Sequence, residues 1–509
     1  MYARICGIAA ALCFFVSASA HASVTCEDVL TRIGSQLADV NCFYSPDLTT
    51  ANPATGLFAT TPANNSLAGR PAFAFTPITD RGVISPNPPN QTPIAHAVPG
   101  IQLDARYADD PTEEARFLLR LPDDWNGDLV VAGASGTRSE FNGDLAWSNY
   151  VLQQGFAYAS QNKGVLNFFL TAPDPALAAP GAASDPLACR IQPPPSPLAG
   201  LFAHFYDNDA AKPFTEWQSR IVQAARTARE GVKGGYNHYP RHSFAVGTSN
   251  GGYQVRRAVE EAPDLFDGGV DWEGTFVDGG TFNILSDLPP AVKNFPLYAA
   301  SGFNSASAAA QAIQAAGYPP DIVNRNSSGV VTASLWQNYY FQFWEVTQCQ
   351  WQKRLDPTYN TYGAGIANYD YFARTQVSEV QQNLDAFANT GKIKVPLITV
   401  AGTMDGLLPI KHHARAYADK VAASRKGNND ERRAQFRLYE VQNGNHIETF
   451  RDTFPQLEFI QPHAQRAFDL LVKHVEDNAP LPPSQCIARG GTIADTPASL
   501  GRCASLFVP

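Results

Sequence analysis

A serine between glycines stands where a strand turns directly into a helix, and this juncture constrains the fold of the whole chain. His242-Ser-Phe-Ala-Val246 is apolar and β-prone, Gly247-Thr248-Ser249-Asn250-Gly251 follows at once, and a helical pattern runs over 253–262. The five-residue string recurs by chance in long chains; its placement is the informative part. A side chain on so tight a turn needs small neighbours, and the helix start behind it favours negative charge developing nearby.

Strands and helices alternate on both sides of that turn. Phe117-Leu-Leu-Arg-Leu-Pro122 alternates, and Asp128-Leu-Val-Val-Ala132 is an apolar strand ending in Gly133-Ala134-Ser135-Gly136. A helical stretch over 145–154 leads into a strand at 156–160, and an amphipathic helix covers 214–232. Strands follow at 267–272, 395–400 and 436–441, the last of the series, with helices over 411–424 and 461–478. This alternation predicts an α/β fold, a mostly parallel sheet flanked by helices. An irregular insertion at 165–212 and a long block at 275–392 interrupt it. The chain therefore divides into a leader (1–22), an extended N-terminal segment (23–99), a core (100–274 and 393–509) and an inserted cap (275–392).

Ser249 is the candidate nucleophile, and a serine hydroxyl needs an adjacent base that is itself oriented by a carboxylate. Asp405 lies in the loop directly after the strand 395–400, and His446 in the loop directly after 436–441. The order Ser, Asp, His, with each partner beyond a later strand, suits that arrangement. His412 and His413 are too near Asp405 and lie in a helical pattern, and His463 opens the final helix. Asp271 and Glu273 follow the strand after the serine turn and are weaker candidates for the acid. Two backbone amides must face the oxygen of a tetrahedral intermediate: that of Asn250, and one from Ala134 or Ser135.

The leader reads as an export signal. Arg4 is followed by an apolar run at 8–15 and by Ser17-Ala18-Ser19-Ala20-His21-Ala22, with cleavage expected after Ala22. No later run approaches the ~18 apolar residues of a membrane span. Cys6 and Cys13 leave with the signal, and Cys26, Cys42, Cys189, Cys349, Cys486 and Cys503 remain. An even set in an exported chain points to disulfides. Six cysteines allow many connectivities; Cys26–Cys42 and Cys486–Cys503 would clip the ends, and Cys189–Cys349 would tie the two insertions. The expected location is secreted or periplasmic.

The net charge of −9, with only 17% charged residues, gives no footprint for nucleic acid or an anionic membrane. No C-x-x-C, H-E-x-x-H or EF-hand string occurs, so no metal is expected, and the proposed serine chemistry needs no cofactor.

On these residues the chain resembles the α/β-hydrolase superfamily over about 100–165, 214–275 and 393–478. The resemblance implies an α/β-hydrolase fold and cleavage of carboxylic esters through an acyl-enzyme. The block 275–392 occupies the place of the lid in tannase and feruloyl-esterase-like secreted esterases. The closing text 470–485, with Leu481-Pro-Pro-Ser-Gln485, looks like the tail of hydroxybutyrate-oligomer hydrolases. Tannase-type enzymes carry bridged cysteines beside the serine and histidine; here those places hold Thr248 and Asn445, and their acidic calcium loop is not evident. Gly251-Gly252-Tyr253 is also similar to prolyl-oligopeptidase-type peptidases. The separation of 156 positions from Ser249 to Asp405 and the lack of propeller repeats favour the esterase side.

Trp336, Tyr339, Tyr340, Phe341, Phe343, Trp344 and Trp351 cluster in the cap. Of these Trp336, Tyr339, Tyr340, Phe343 and Trp344 are candidates to line an apolar pocket for an aryl or hydroxyalkanoate ester or oligomer, with core packing as the competing role. The alternatives are a serine peptidase or amidase with the same residues, and a hydrolase-fold binding protein without turnover.

Overall fold

The computed structural model describes residues 24–49, 95–111, 115–136, 140, 145–164, 168–171, 188–190, 193, 196, 201–204, 215–356, 359, 368–425 and 435–509. The leader expected at 1–22 and most of the Pro-rich stretch at 47–99 lie outside them.

Fifteen strands occur among the described residues: β1 Leu37–Ser45, β2 Gly100–Tyr107, β3 Arg116–Pro122, β4 Leu129–Ala132, β5 Ala157–Gln161, β6 Phe168–Thr171, β7 Ala188–Arg190 and β8 Leu201–His204, then β9 Ser243–Thr248, β10 Gly268–Trp272, β11 Val323–Arg325, β12 Val331–Ser334, β13 Leu397–Gly402, β14 Phe436–Val441 and β15 Gln485–Ile487. Ten of them build one sheet in the order β1-β2-β3-β5-β4-β9-β10-β13-β14-β15. From β5 to β15 all neighbours run parallel, and β1, β2 and β3 add an antiparallel edge. The expected mostly parallel sheet is therefore present, with the serine strand β9 near its centre.

Both faces of the central strands are apolar, and successive residues serve opposite layers. On β4, Val130 and Ala132 join Phe244, Trp272, Val400 and Tyr439 beneath the helices Leu145–Leu152 and Gln461–Asp477. Leu129 and Val131 join Ala245 and Leu397 on the other face, under the helices Cys26–Ile33, Thr215–Tyr236, Asn250–Glu261 and Ala414–Ser424.

Two expectations about the ends are corrected. Residues 24–49 are not simply extended: a helix Cys26–Ile33, capped by the Thr25 hydroxyl oxygen accepting from the Asp28 amide, leads into β1 at the sheet edge. The strand at 436–441 is not the last, because β15 pairs in parallel with β14. Disulfides join Cys26 to Cys42, Cys189 to Cys349 and Cys486 to Cys503, fastening the first helix to β1, β7 to the helix Glu345–Leu355, and β15 to the C-terminal tail. No helix among the described residues is long and apolar enough to cross a membrane.

The block between β10 and β13 is mainly helical, with the helices Ile284–Ala300, Ala308–Ala315 and Ser378–Phe387 and the short β11–β12 pair. The aromatic run forms one continuous rod: a helix Leu335–Tyr339, a π turn Tyr340–Trp344 and the helix Glu345–Leu355. Its apolar cluster also takes in Met404, Leu407, Leu408, Ile447 and Phe450 from the loops after β13 and β14. The block thus packs directly on the loops that carry Asp405 and His446.

Candidate active site

Ser249 sits between β9 and the helix Asn250–Glu261 with φ 58° and ψ −118°, a left-handed region that side chains rarely adopt. The surroundings hold it there. Its amide donates to the Trp272 carbonyl at 2.9 Å, and its own carbonyl accepts from the amides of Tyr253 and Thr275 at 3.0 and 3.2 Å. Close backbone contact explains the glycines: a Cβ on Gly251 would stand 2.9 Å from the Gly133 carbonyl carbon and 3.1 Å from the Ala134 nitrogen. Any larger residue at 251 would push the β4 loop away from the serine.

Three sequence-distant side chains converge at this turn. Nε2 of His446 lies 3.1 Å from the Ser249 hydroxyl oxygen, and Nδ1 lies 2.9 Å from Oδ2 of Asp405. Oδ1 of Asp405 accepts the amides of Leu407 and Leu408, both at 2.7 Å, so the carboxylate is fixed by its own loop. The ring that donates Nδ1–H to Asp405 keeps its Nε2 lone pair toward the serine hydroxyl, the tautomer a general base needs. Ser249 retains 8% exposure, whereas Asp405 is buried at 2%.

The other histidines and acids are engaged elsewhere. His412 donates from Nδ1 to Asp287 at 2.8 Å, and Nδ1 of His413 accepts the Phe276 amide at 3.0 Å. His463 lies in the first turn of the helix Gln461–Asp477. Asp271 forms a fully buried ion pair with Arg256 at 2.6 Å. Glu273 is different: its Oε2 reaches within 3.5 Å of Nδ1 of His446, closer than its position beyond β10 in the sequence suggests. Burial in the first place, and then the Asp405 charge beside it, push its carboxyl well above the usual range.

The Ala134 amide donates to Oε1 of Gln254 at 2.8 Å, which commits it there and leaves Ser135 as the other candidate of the expected pair. Asn250 heads the helix, and its side-chain oxygen accepts from the Thr275 hydroxyl at 3.1 Å. Gln254 is wholly buried; it also accepts from Gln161 at 3.1 Å and donates to the Trp217 carbonyl. Spacing along the helix gave no sign that Gln254 would reach the β4 loop. Gln254→Leu would orphan these groups, each costing about 1–3 kcal/mol. The expected result is a lower melting temperature together with a kcat reduced about tenfold at little-changed KM, since a loop displaced by an ångström misaims the site. Steady-state kinetics beside a thermal melt check it.

The aromatic run is mostly interior. Trp336, Tyr339 and Trp344 are at most 1% exposed and lie in the cap cluster, so they do not form an open pocket wall. Their polar atoms explain the positions. The Tyr339 hydroxyl donates to Oδ1 of Asn445 at 2.8 Å, next to His446, and Trp344 Nε1 donates to the Gly406 carbonyl at 2.7 Å, next to Asp405. Trp336 Nε1 donates to the Pro319 carbonyl at 3.1 Å. Tyr340 and Phe343 are partly buried against the same cluster. Asn445, one of the places where tannase-type enzymes have a cysteine, is thus tied to the cap by a hydrogen bond, while the Thr248 hydroxyl oxygen is buried without a partner.

Comparison with known proteins adds the following. Residues 350–503 match the family model for 3HB-oligomer hydrolase, a span that includes Asp405 and His446 and excludes Ser249. A D-(-)-3-hydroxybutyrate oligomer hydrolase of Burkholderia lata is 37% identical over 124 residues, 23% of this chain and 17% of that protein. The chain thus aligns to less than a fifth of that curated relative's length. Among solved structures, an esterase from Aspergillus oryzae superposes over 89% of this chain and 90% of its own, with a TM-score of 0.50 and 13% identity. Feruloyl esterase B from the same organism covers 89% and 91%, with a TM-score of 0.47 and 13% identity. The fold is that of the α/β-hydrolases.

Proposed function

We propose that this chain is an exported serine hydrolase that cleaves carboxylic esters through an acyl-enzyme, with hydroxyalkanoate oligomers as the first substrates to try. The observation that carries the reading is the hydrogen-bonded line Ser249–His446–Asp405, with links of 3.1 and 2.9 Å on a strained strand-to-helix turn. Ser249 attacks the ester carbonyl while His446 takes its proton at Nε2. Asp405 holds the imidazole and stabilises its charge, and His446 then returns the proton to the leaving alcohol. The amides of Asn250 and Ser135 are the proposed donors to the tetrahedral oxygen. Water enters by the same base-assisted route to free the acid.

The likeness of 350–503 to 3HB-oligomer hydrolase supports an ester substrate, because it spans the loops that carry Asp405 and His446. The block 275–392 is proposed as a lid, held to those loops by Tyr339 and Trp344. Three disulfides and the leader at 1–22 support export.

The test is hydrolysis of hydroxybutyrate oligomers, a p-nitrophenyl ester chain-length series and peptide p-nitroanilides by the mature protein. The expected result is turnover of esters over anilides, lost in Ser249→Ala, with the preferred acyl length measuring the pocket. Faster cleavage of anilides would move the reading to a peptidase. Inertness toward every substrate would favour a binding protein.

A further inference from the structure

Glu273 is an acid that the proposed serine mechanism leaves unused. It follows β10, whose sheet neighbours are β9, leading to Ser249, and β13, leading to Asp405. A residue just past the end of β10 therefore lies between the two loops. Its backbone is held there with φ 53°, a conformation uncommon for glutamate, by its amide donating to the Val400 carbonyl at 2.8 Å. Oε1 accepts the Gly402 amide at 3.1 Å.

Oε2 has no hydrogen-bond partner, the residue is 2% exposed, and this oxygen points at the ring nitrogen that Asp405 already holds. A carboxylate oxygen of each acid and a ring nitrogen of His446 all lie within 4.8 Å of one another. The titratable groups facing Glu273 are Asp405, His446, Glu448 on the loop after β14, and the Tyr339 phenol of the cap. Burial first, and then repulsion from Asp405, push the Glu273 carboxyl well above the usual carboxylate range.

Resting on the serine-hydrolase reading above, we infer that Glu273 is a second positioning residue for His446, a carboxyl able to hold the imidazole through Nδ1 in place of Asp405. With the Asp405 side chain removed, repulsion disappears and a small tilt of the ring closes the 3.5 Å gap to hydrogen-bond length. Glu273 then serves only once it has lost its proton, which burial still opposes.

The experiment compares kcat/KM against pH for wild type, Asp405→Ala and Asp405→Ala/Glu273→Gln on a p-nitrophenyl ester, with Ser249→Ala as the blank. Asp405→Ala is expected to keep at least about tenfold more activity than the double variant, a modest part of what a triad carboxylate supplies. Its rising limb should lie at higher pH than in wild type, a displacement that a purely structural role would not produce. The Asp405→Asn pair, with and without Glu273→Gln, repeats the comparison with an oxygen retained for the Leu407 and Leu408 amides, in case the alanine variants do not fold. Equal activity of the single and double variants at every pH would overturn the inference. If Ser249→Ala were as active as wild type, the serine-hydrolase reading itself would fall, a different outcome from the first.

Discussion

His446→Ala is expected to lower kcat on a p-nitrophenyl ester on the order of 10⁴-fold or more, with the melting temperature little changed. Without the imidazole, the Ser249 hydroxyl has no proton acceptor at 3.1 Å, and the nucleophile and base of such a site act as one unit. What survives is the turnover that substrate binding and the backbone amides supply without a base. The two side-chain hydrogen bonds of the ring run to Ser249 and Asp405, so its loss leaves the hydrogen bonds between sheet and helices in place. Stopped-flow or long-incubation assays beside circular dichroism check both halves. A fall of less than tenfold would remove His446 from the mechanism.

Arg256→Met is expected to destabilise the fold by about 3–5 kcal/mol, because it strands a buried carboxylate. Arg256 and Asp271 have fully buried side chains and meet at 2.6 Å. Asp271 also accepts the Thr399 hydroxyl at 2.8 Å and the Gly274 amide at 2.6 Å. The guanidinium donates to the Thr275 carbonyl at 3.2 Å and lies 4.3 Å from the Tyr417 ring centre. The pair therefore locks the helix behind Ser249 to β10 and β13. Adding Asp271→Asn to Arg256→Met should recover part of the loss, since no unpaired charge is then left inside. Thermal melts of the single and double variants measure this, and equal melting temperatures for wild type and Arg256→Met would refute it.

The serine, acid and histidine were legible because each stands at the end of an apolar strand, where the chain must turn and the loop identity is open. The parallel sheet then brings those loop ends together whatever their separation in sequence. Glu273 was harder to weigh. It lies two residues from Asp271, and only the order β9-β10-β13 shows that one of these acids turns under the helix to Arg256 while the other enters beside His446. Of the two amides open after β4, that of Ala134 is taken by Gln254, which arrives from a helix 120 residues on, a contact that no local pattern encodes. The aromatic run split for a related reason: the rod turns Trp336, Tyr339 and Trp344 inward, and which face of a cap helix meets the core depends on tertiary packing. The first helix did have a local signal, the capping Thr25 followed by Glu27 and Asp28, but the Pro-rich text after it hid the strand that joins the sheet.

The central claim, that Ser249 is an activated nucleophile, is tested most directly by labelling the folded protein with a fluorophosphonate and locating the adduct by peptide mass spectrometry. The account predicts one stoichiometric adduct on Ser249, absent from Ser249→Ala and strongly slowed in His446→Ala. A folded wild-type protein that takes up no label, or takes it up on another residue, would contradict it.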